Sequence, residues 1–329
     1  MAFDVTWLFL SFGGGILGAA FGGLPIFVLC GVAAIVGAAV NLATGDGSFT
    51  NLVAFGPILG PQISFAGGAA AAAYAAKKGK LSTGGKDITA GLMGLDSPDV
   101  LLVGGAFGMV GYLLWWALSL LPSIGTTPFT NAIALSIVIN AIIVRLMFGK
   151  TGIFGKVPNG NNRWLGGAKP LQVVVLALGA GVAVTWSTLQ VPALASLWFG
   201  ISVTGLVFLQ YGTKVPVWHQ IALAAEQAVV IGGGDLGWGL AFAILGGFLG
   251  EIYAIVFNTY GDTHIDPPSA TLATTFFTMA ILKAMGAFAI TGVGSLIVAA
   301  VVAVAGFALL SALRARSGAS VPTAAADAA

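Results

Sequence analysis

The residues best suited to chemistry lie in the segment VWHQIALAAEQAVV, where one acid, one histidine and two glutamines interrupt an apolar run. His219 and Glu226 are seven residues apart, and Gln220 and Gln227 repeat that spacing. Because an α-helix turns once about every 3.6 residues, all four side chains lie on one polar face. Because a charge in a membrane interior costs about 2.5 to 3.5 kcal/mol or more, an acid there usually has a function. We expect Glu226 to be a cation ligand, a proton carrier or a hydrogen-bond acceptor on a solute path.

A second set of polar residues consists of hydroxyl and amide side chains on other apolar segments. A threonine stripe with helical spacing follows GDTHIDPP, and smaller polar residues stand at related positions of the first half. Such faces either line a path or pack helices together, and both interpretations stay open. The candidates are Thr271, Thr275, Thr278, Ser136, Asn140 and, in GPQIS, Gln62.

Further charged residues form a second tier of candidates. Asp96 and Asp235 precede apolar segments, where a carboxylate caps the free N–H groups of a helix start, although broken helix starts also bind ions. Glu251 is either a functional acid or an interfacial carboxylate, and Tyr112 stands opposite it in the repeat described below. Lys283 lies within an apolar segment and must snorkel or pair, with Glu226 as one partner.

The stretch GDTHIDPP carries Asp262, His264 and Asp266 at alternating positions between two apolar segments. We interpret these residues as a hydrated mouth or gate, and a metal clamp is the alternative. Pro267 just inside the next helix, and Pro128 opposite it in the repeat, predict the turn in both halves.

Composition identifies the class of protein. Apolar residues make up 58% of the 329 residues, charged residues only 7%, and the mean hydropathy is +1.00. These values predict an all-α polytopic membrane protein, because a barrel would show short alternating strands. A single cysteine, Cys30, excludes an intrachain disulfide. Since no nucleotide loop, zinc motif or catalytic triad occurs in a suitable context, we expect neither an enzyme nor a cofactor, and no nucleic-acid partner.

Apolar runs of about 20 residues, the length that crosses a bilayer, predict 11 transmembrane helices. Basic residues cluster in residues 77–86 and 145–169 and at Arg314 and Arg316, and such loops are usually cytoplasmic. We therefore expect an integral plasma (cytoplasmic) membrane protein with its N-terminus outside and its C-terminus in the cytoplasm. The predicted spans are residues 5–23, 24–43, 52–76, 98–121, 128–148, 170–189, 191–210, 217–232, 235–258, 268–287 and 289–313.

An internal repeat divides the chain in two. A shift of 139 positions aligns Asp96 with Asp235 and Pro128 with Pro267, and the second spans align Gly31 with Gly200 after small shifts. Five spans per copy, an odd number, require the copies to be inverted, which places a solute path between them. The predicted units are a first five-helix repeat at 1–150 with a basic cytoplasmic loop at 77–90, a basic cytoplasmic linker at 151–169, a second inverted five-helix repeat at 170–288, an extra helix at 289–313 and a disordered tail at 314–329.

This plan of five, five and one helices resembles the ammonium-channel family and the related urea-transporter architecture. The resemblance is one of layout over nearly the whole chain. GLMGLDSPDVLLVG and TTPFTNAIALS are similar in character to urea-transporter pore segments, but their spacing differs. The paired pore histidines of ammonium channels are absent, because His219 and His264 do not match across the repeat. The resemblance implies a homotrimer with one pore per subunit, and it does not supply the substrate.

The sequence therefore indicates a permease for a small polar solute or a cation, either channel-like or coupled to protons or sodium. Two alternatives from other classes are an intramembrane enzyme and a structural scaffold of a membrane complex. An enzyme needs a constellation of reactive groups that one polar helix does not provide.

Overall fold

The computed structural model describes residues 2–158, 162–165 and 167–315, and in these ranges the chain is helical, without a β-strand. Eleven α-helices lie in this part of the chain, and short 3₁₀ or π-helical turns extend several of them. The helices are α1 Val5–Phe21, α2 Gly23–Thr44, α3 Ser64–Lys77, α4 Pro98–Ser119, α5 Ala132–Phe148, α6 Pro170–Gln190, α7 Leu197–Thr204, α8 His219–Val230, α9 Leu236–Tyr253, α10 Pro267–Ala284 and α11 Val293–Ala315.

The helical membrane class is confirmed, whereas the number of spans is not. Among the described residues, six helices are long and apolar enough to cross a membrane: α2, α4, α6, the extended α7 at Pro192–Tyr211, α9 with its π-helical end at Asn258, and α11. Two more apolar helices, α1 and α5, are shorter. Helix α11 exposes the broadest apolar face, since only 11% of its most apolar window is buried. Such a face fits lipid rather than water.

Helices α3 and α8, which match across the repeat, are both short and largely buried. Eleven of the 14 residues of α3 and nine of the 12 residues of α8 are buried. At a rise of about 1.5 Å per residue, neither helix covers the roughly 30 Å of a hydrocarbon core. The span expected at 52–76 is thus helical only in part, because a π-helical turn at Thr50–Ala54 and turns around Pro57 and Pro61 precede α3. These prolines remove backbone donors and break the helix.

The second half packs in the same pattern as the first. Helix α1 contacts α3 and α4 just as α6 contacts α8 and α9, and α3–α4, α3–α5 and α4–α5 correspond to α8–α9, α8–α10 and α9–α10. Across the halves, α2 packs on α7 and α5 packs on α10, so each of these helices meets its own counterpart. Helix α11 packs outside this arrangement, mainly against α9.

Glycines permit the closest of these helix contacts. Gly31 on α2 and Gly200 on α7, which are equivalent in the repeat, face each other across the two halves. A Cβ on Gly31 would lie 2.9 Å from the Thr204 nitrogen, and one on Gly200 would lie 2.7 Å from the Gly31 oxygen. Larger residues at either position would push the halves apart.

The residues at which α4 and α5 begin contradict two of the sequence predictions. Asp235 caps α9 as expected, accepting hydrogen bonds from the Gly237 and Trp238 N–H groups. Asp96 is exposed and precedes the N-cap of α4 by one residue, so the cap interpretation is wrong there. Pro267 begins α10 as expected. Pro128 does not begin α5, which starts at Ala132 behind an Asn131 cap, because that amide accepts the Ala134 N–H.

Loops that the sequence assigns to the cytoplasmic side contact one another at one end of the molecule. Lys86 donates to the Asn258 and Thr259 carbonyls, and the Leu24 N–H donates to the Ile88 carbonyl. Arg145, only 1% exposed, donates to the Thr263 hydroxyl. At the opposite end, the Asp4 N–H donates to the Tyr112 hydroxyl of α4, the Asn41 amide of α2 donates to the Ala193 carbonyl, and the Gly292 N–H donates to Asp235. Which end faces the cytoplasm stays a prediction.

Parts of the predicted linker and tail lie outside the described residues. Residues 159–161 and 166 of the linker, and residues 316–329 of the tail with Arg316, are in this group. The first two residues assigned to the tail, Arg314 and Ala315, instead complete α11.

Candidate functional site

Two cavities lie between the halves and share His219 and Phe27 in their walls. The smaller cavity has a volume of about 190 Å³ and the larger a volume of about 480 Å³. His219 opens the short central helix α8 and is 3% exposed. The broken, buried helices of the two halves thus bring a titratable side chain to the junction of two internal spaces.

The smaller cavity collects ends of helices from both halves. The start of α5 contributes Asn131 and Ala134, α10 contributes Ser269, and the bend before α7 contributes Ser196. Gln227 of α8 adds an amide. Most of the remaining wall is apolar: Phe27, Phe55, Pro61, Ile133, Ile137, Phe199, Leu223 and Leu272.

The larger cavity lies toward the end of the molecule where the basic loops meet. Its polar lining includes Gln220, Asn258, His264, Asp266 and Glu251. Two of these five side chains are acids, and none of the described residues that line this cavity is Lys or Arg. Apolar groups such as Phe27, Phe65 and Leu206 form most of the wall.

Aromatic rings enclose His219. The rings of Phe27 and His219 are 5.3 Å apart at 72°, and Phe199 meets the imidazole edge to face at 6.0 Å. The Nδ1 atom is buried without a hydrogen-bond partner among the described residues. Its role as donor or acceptor depends on the tautomer. A water or solute passing between the cavities would be the natural partner of this atom.

The acids of GDTHIDPP separate into two environments. Asp266 caps α10, where it accepts the Ser269 N–H at 2.9 Å, and it pairs with His264 at 3.3 Å. Asp262 is not among the described residues that line either cavity, and it accepts from the Thr151 hydroxyl and the Lys150 N–H. The metal clamp is therefore wrong: no group of three or more His, Cys, Asp or Glu side chains in the described part of the chain could hold a metal ion.

The environment of Asp262 sets its ionisation. Partial burial raises the pKa of this carboxyl, but the hydrogen bonds from Thr151 and Lys150, together with the Arg145 charge, lower it by more. The net pKa lies below the ordinary value. Asp262 is therefore a carboxylate that anchors the loop at neutral pH.

Glu226, the leading candidate from the sequence, is 2% exposed but lines neither cavity among the described residues. One carboxylate oxygen accepts the Ser196 N–H, and the other has no hydrogen-bond partner in the described chain. Ser196 has a positive φ of 77° and lines the smaller cavity. Lys283 donates to the Ile231 carbonyl instead of pairing with Glu226.

The glutamines present unpaired carbonyl oxygens. Gln220 donates to the Val217 carbonyl and Gln62 to the Phe55 carbonyl, which leaves the Oε1 atom of each amide buried and without a partner in the described chain. The Oε1 atom of Gln227 is in the same situation. Gln220 lines the larger cavity and Gln227 the smaller, whereas Gln62 lies behind Pro61 and lines neither.

The hydroxyl and amide stripes bond mainly to their own helices. Thr271, Thr275 and Thr278 donate to carbonyls three or four residues earlier, and Ser136 donates to the Ile133 carbonyl. Asn140 donates to the Phe107 carbonyl of α4. Among the described residues that line the two cavities, none of these five occurs. Their hydrogen bonds are those of helix packing, and no contact with a cavity supports the pore-lining hypothesis.

The second-tier residues occupy distinct places. Glu251 lines the larger cavity and pairs with Arg314 of α11 at 3.4 Å. Its repeat counterpart Tyr112 is 1% exposed and accepts the Asp4 N–H. Asp235, besides capping α9, accepts from the Gly292 N–H and the Ser295 hydroxyl, which ties α9 to α11.

Several lining residues escaped the sequence argument. Phe27 and Phe199 at the junction are two of 21 phenylalanines, and no pattern singles them out. Ser196 lines the smaller cavity because of a left-handed backbone conformation, which the sequence LASL does not predict. Ser269 could have been found, because it follows the helix-starting prolines at the capping distance from Asp266.

One protein family matches the chain over residues 1–165 and 161–297, and it is described as "Family of unknown function (DUF7973)". No curated protein and no solved structure matches the chain. Because the matched residues cover most of the sequence, the chain belongs to this family of unknown function, DUF7973.

Proposed function

We propose that the protein is a membrane permease that moves a small polar solute or ion along a path between two inverted repeats. The observation that carries this proposal is the pair of cavities that meet at His219, each lined by residues of both halves. Short central helices that begin inside the protein are typical of solute sites in transporters built from inverted repeats. The path runs from the larger cavity past Phe27 and His219 to the smaller cavity.

The two-fold organisation supports the proposal further. The counterpart contacts α2–α7 and α5–α10 are those expected for helices related by a pseudo-two-fold axis. The two segments matched by the family meet at residues 161–165, inside the linker predicted between the repeats. The permease acts in the plasma membrane, with its N-terminus outside and its C-terminus in the cytoplasm. As a homotrimer it would carry one path per subunit.

Flux into proteoliposomes tests the proposal. The purified protein is reconstituted and offered urea, ammonium, small acids, metal cations and small organic amines, with and without proton and sodium gradients. Dependence on a gradient would identify coupled transport, and indifference to every gradient would identify a channel. Absence of flux for every compound in both orientations would contradict the permease.

A bulky residue in the path should stop the flux. Leu223→Trp enlarges a side chain in the wall of the smaller cavity, whose volume is only about 190 Å³, and we expect flux to fall by about tenfold or more because the larger ring narrows the path. Val304→Trp, on the exposed face of α11, is the matched control and should transport normally. Equal flux in the two variants, with normal gel-filtration profiles, would rule out this route.

Glu226→Gln tests the acid that the sequence singled out. Glutamine retains an oxygen for the Ser196 N–H but cannot carry a proton, so we expect altered flux or coupling in a folded protein. Unchanged transport and unchanged gradient dependence would leave Glu226 a structural residue.

A further inference from the structure

The larger cavity is too roomy and too apolar for a path that carries only the smallest solutes. Its volume of about 480 Å³ exceeds the roughly 30 Å³ share of one water molecule many times over. Carbon surfaces of Phe27, Phe65 and Leu206 face this space. A ligand that fills it must carry an apolar body of several carbon atoms.

The charge of the lining favours a cation. Glu251 and Asp266 line the larger cavity, while Lys and Arg are missing from its described lining. Arg314 already pairs with Glu251, whereas Asp266 has no Lys or Arg partner in the described chain and interacts with His264, His219 and the Ser269 donors. Asp266 therefore forms the negative end of the cavity.

Unpaired acceptors point to a ligand with N–H donors. Gln220 is 7% exposed, its Nε2 is engaged by Val217, and its Oε1 has no hydrogen-bond partner in the described chain. The Oδ1 atom of Asn258, another lining residue, is also buried and has no hydrogen-bond partner among the described residues. A buried acceptor without a hydrogen-bond donor is unfavourable, and an ammonium group would supply the missing donors.

We propose that the larger cavity binds an organic ammonium ion, with its N–H groups directed at Asp266 and Gln220 and its carbon body against Phe27, Phe65 and Leu206. Aromatic faces attract such a cation, and the acids of the lining complement it. A bare metal ion is a poor occupant, because the described chain offers no cluster of three ligating side chains there. The inference rests on the proposed permease function and names its substrate class.

Binding to the detergent-purified full chain tests the site without requiring transport. Calorimetry compares cyclohexylmethylammonium with the neutral cyclohexylmethanol, the anionic cyclohexanecarboxylate and the small methylammonium ion. We expect the large amine to bind at least about tenfold more tightly than each of the other three, because only it offers both charge and apolar area. Equal affinity for the alcohol, or a preference for the carboxylate, would overturn the inference.

Two variants and a control localise the amine. Asp266→Asn retains a capping oxygen for α10 and should weaken amine binding by about tenfold, and Gln220→Met removes an acceptor without a capping role and should weaken it by about threefold to tenfold. Asp46→Asn, at an exposed loop acid, should bind normally. If Gln220→Met and Asp266→Asn each fold and each bind the amine with wild-type affinity, the proposed site is wrong.

The outcomes also separate this inference from the proposed function. Amine binding without flux of any solute would support the site and contradict the permease. Flux of another solute without amine binding would support the permease and overturn the ammonium site.

Discussion

At the scale of single residues, position in the tertiary structure decides what a polar side chain can do. Glu226 and His219 lie on the same short helix, yet only His219 reaches the cavities, while Glu226 turns to the Ser196 backbone. Asp262 and Asp266 are four residues apart, yet one anchors a loop and the other caps α10 beside the larger cavity. Residue types and their spacing in the sequence indicate candidate residues, but their contacts depend on the fold.

Asp262→Asn should destabilise the protein at neutral pH but not in acid. The folded-state pKa of Asp262 lies below its unfolded value, so its carboxylate stabilises the fold above an ordinary pKa of about 3.9 and loses this effect as the pH falls through the folded value. Because the group is only partly buried, we expect a loss of about 1 kcal/mol at pH 7.

Denaturant unfolding in detergent, followed by tryptophan fluorescence, measures this difference at neutral pH and in increasingly acidic buffer, where it should shrink and then disappear once the pH is below the folded-state pKa. Asp96→Asn is the control, because Asp96 is exposed and asparagine tolerates its left-handed backbone. A pH-independent difference between Asp262→Asn and the wild type would contradict the role assigned to the carboxylate.

At the scale of elements, small residues determine how closely helices approach and therefore where the cavities form. Helix α1 meets the start of α3 through Gly18, where a Cβ would lie 1.9 Å from the Ser64 carbonyl oxygen. The sequence shows many glycines but does not say which of them face a neighbour. On the same helix, Gly13 has no neighbouring atom within 4 Å of its Cβ position.

Gly18→Ala and Gly13→Ala form a matched pair of predictions. A methyl group at Gly18 meets backbone that cannot move aside cheaply, so we expect a loss of unfolding free energy of about 1 to 3 kcal/mol. Gly13→Ala should be neutral or stabilise by up to about 1 kcal/mol through helix propensity. Unfolding midpoints in detergent measure both, and equal midpoints would contradict the close contact.

At the scale of the whole molecule, the organisation in two halves carries the functional proposal. The second half reproduces the helix contacts of the first, and the halves meet through their own counterpart helices. The cavities occupy that meeting place and draw residues from both halves. An inverted arrangement in the bilayer follows if basic loops stay in the cytoplasm.

Cysteine labelling tests the orientation. In a Cys30→Ala background, Asp46→Cys should react with a membrane-impermeant maleimide in intact cells, and Ser82→Cys should react only after the membrane is opened, because the basic loop around Ser82 is expected inside. Both positions are exposed in the fold. The reverse pattern would show that the topology is inverted. Labelling of both cysteines from the same side would show that residues 50–77 do not cross the membrane.

The sequence by itself determined the helical membrane class, the approximate helix positions and the repeat, because apolar length and scarce Asp and Pro residues are local signals. It also selected His219, Gln220 and Asp266 by their rarity in apolar surroundings. Only the tertiary structure decided that α3 and α8 are largely buried and that aromatic rings enclose His219. It also decided that Glu226 bonds to a backbone N–H. These features depend on contacts between residues distant in sequence, which no local pattern encodes.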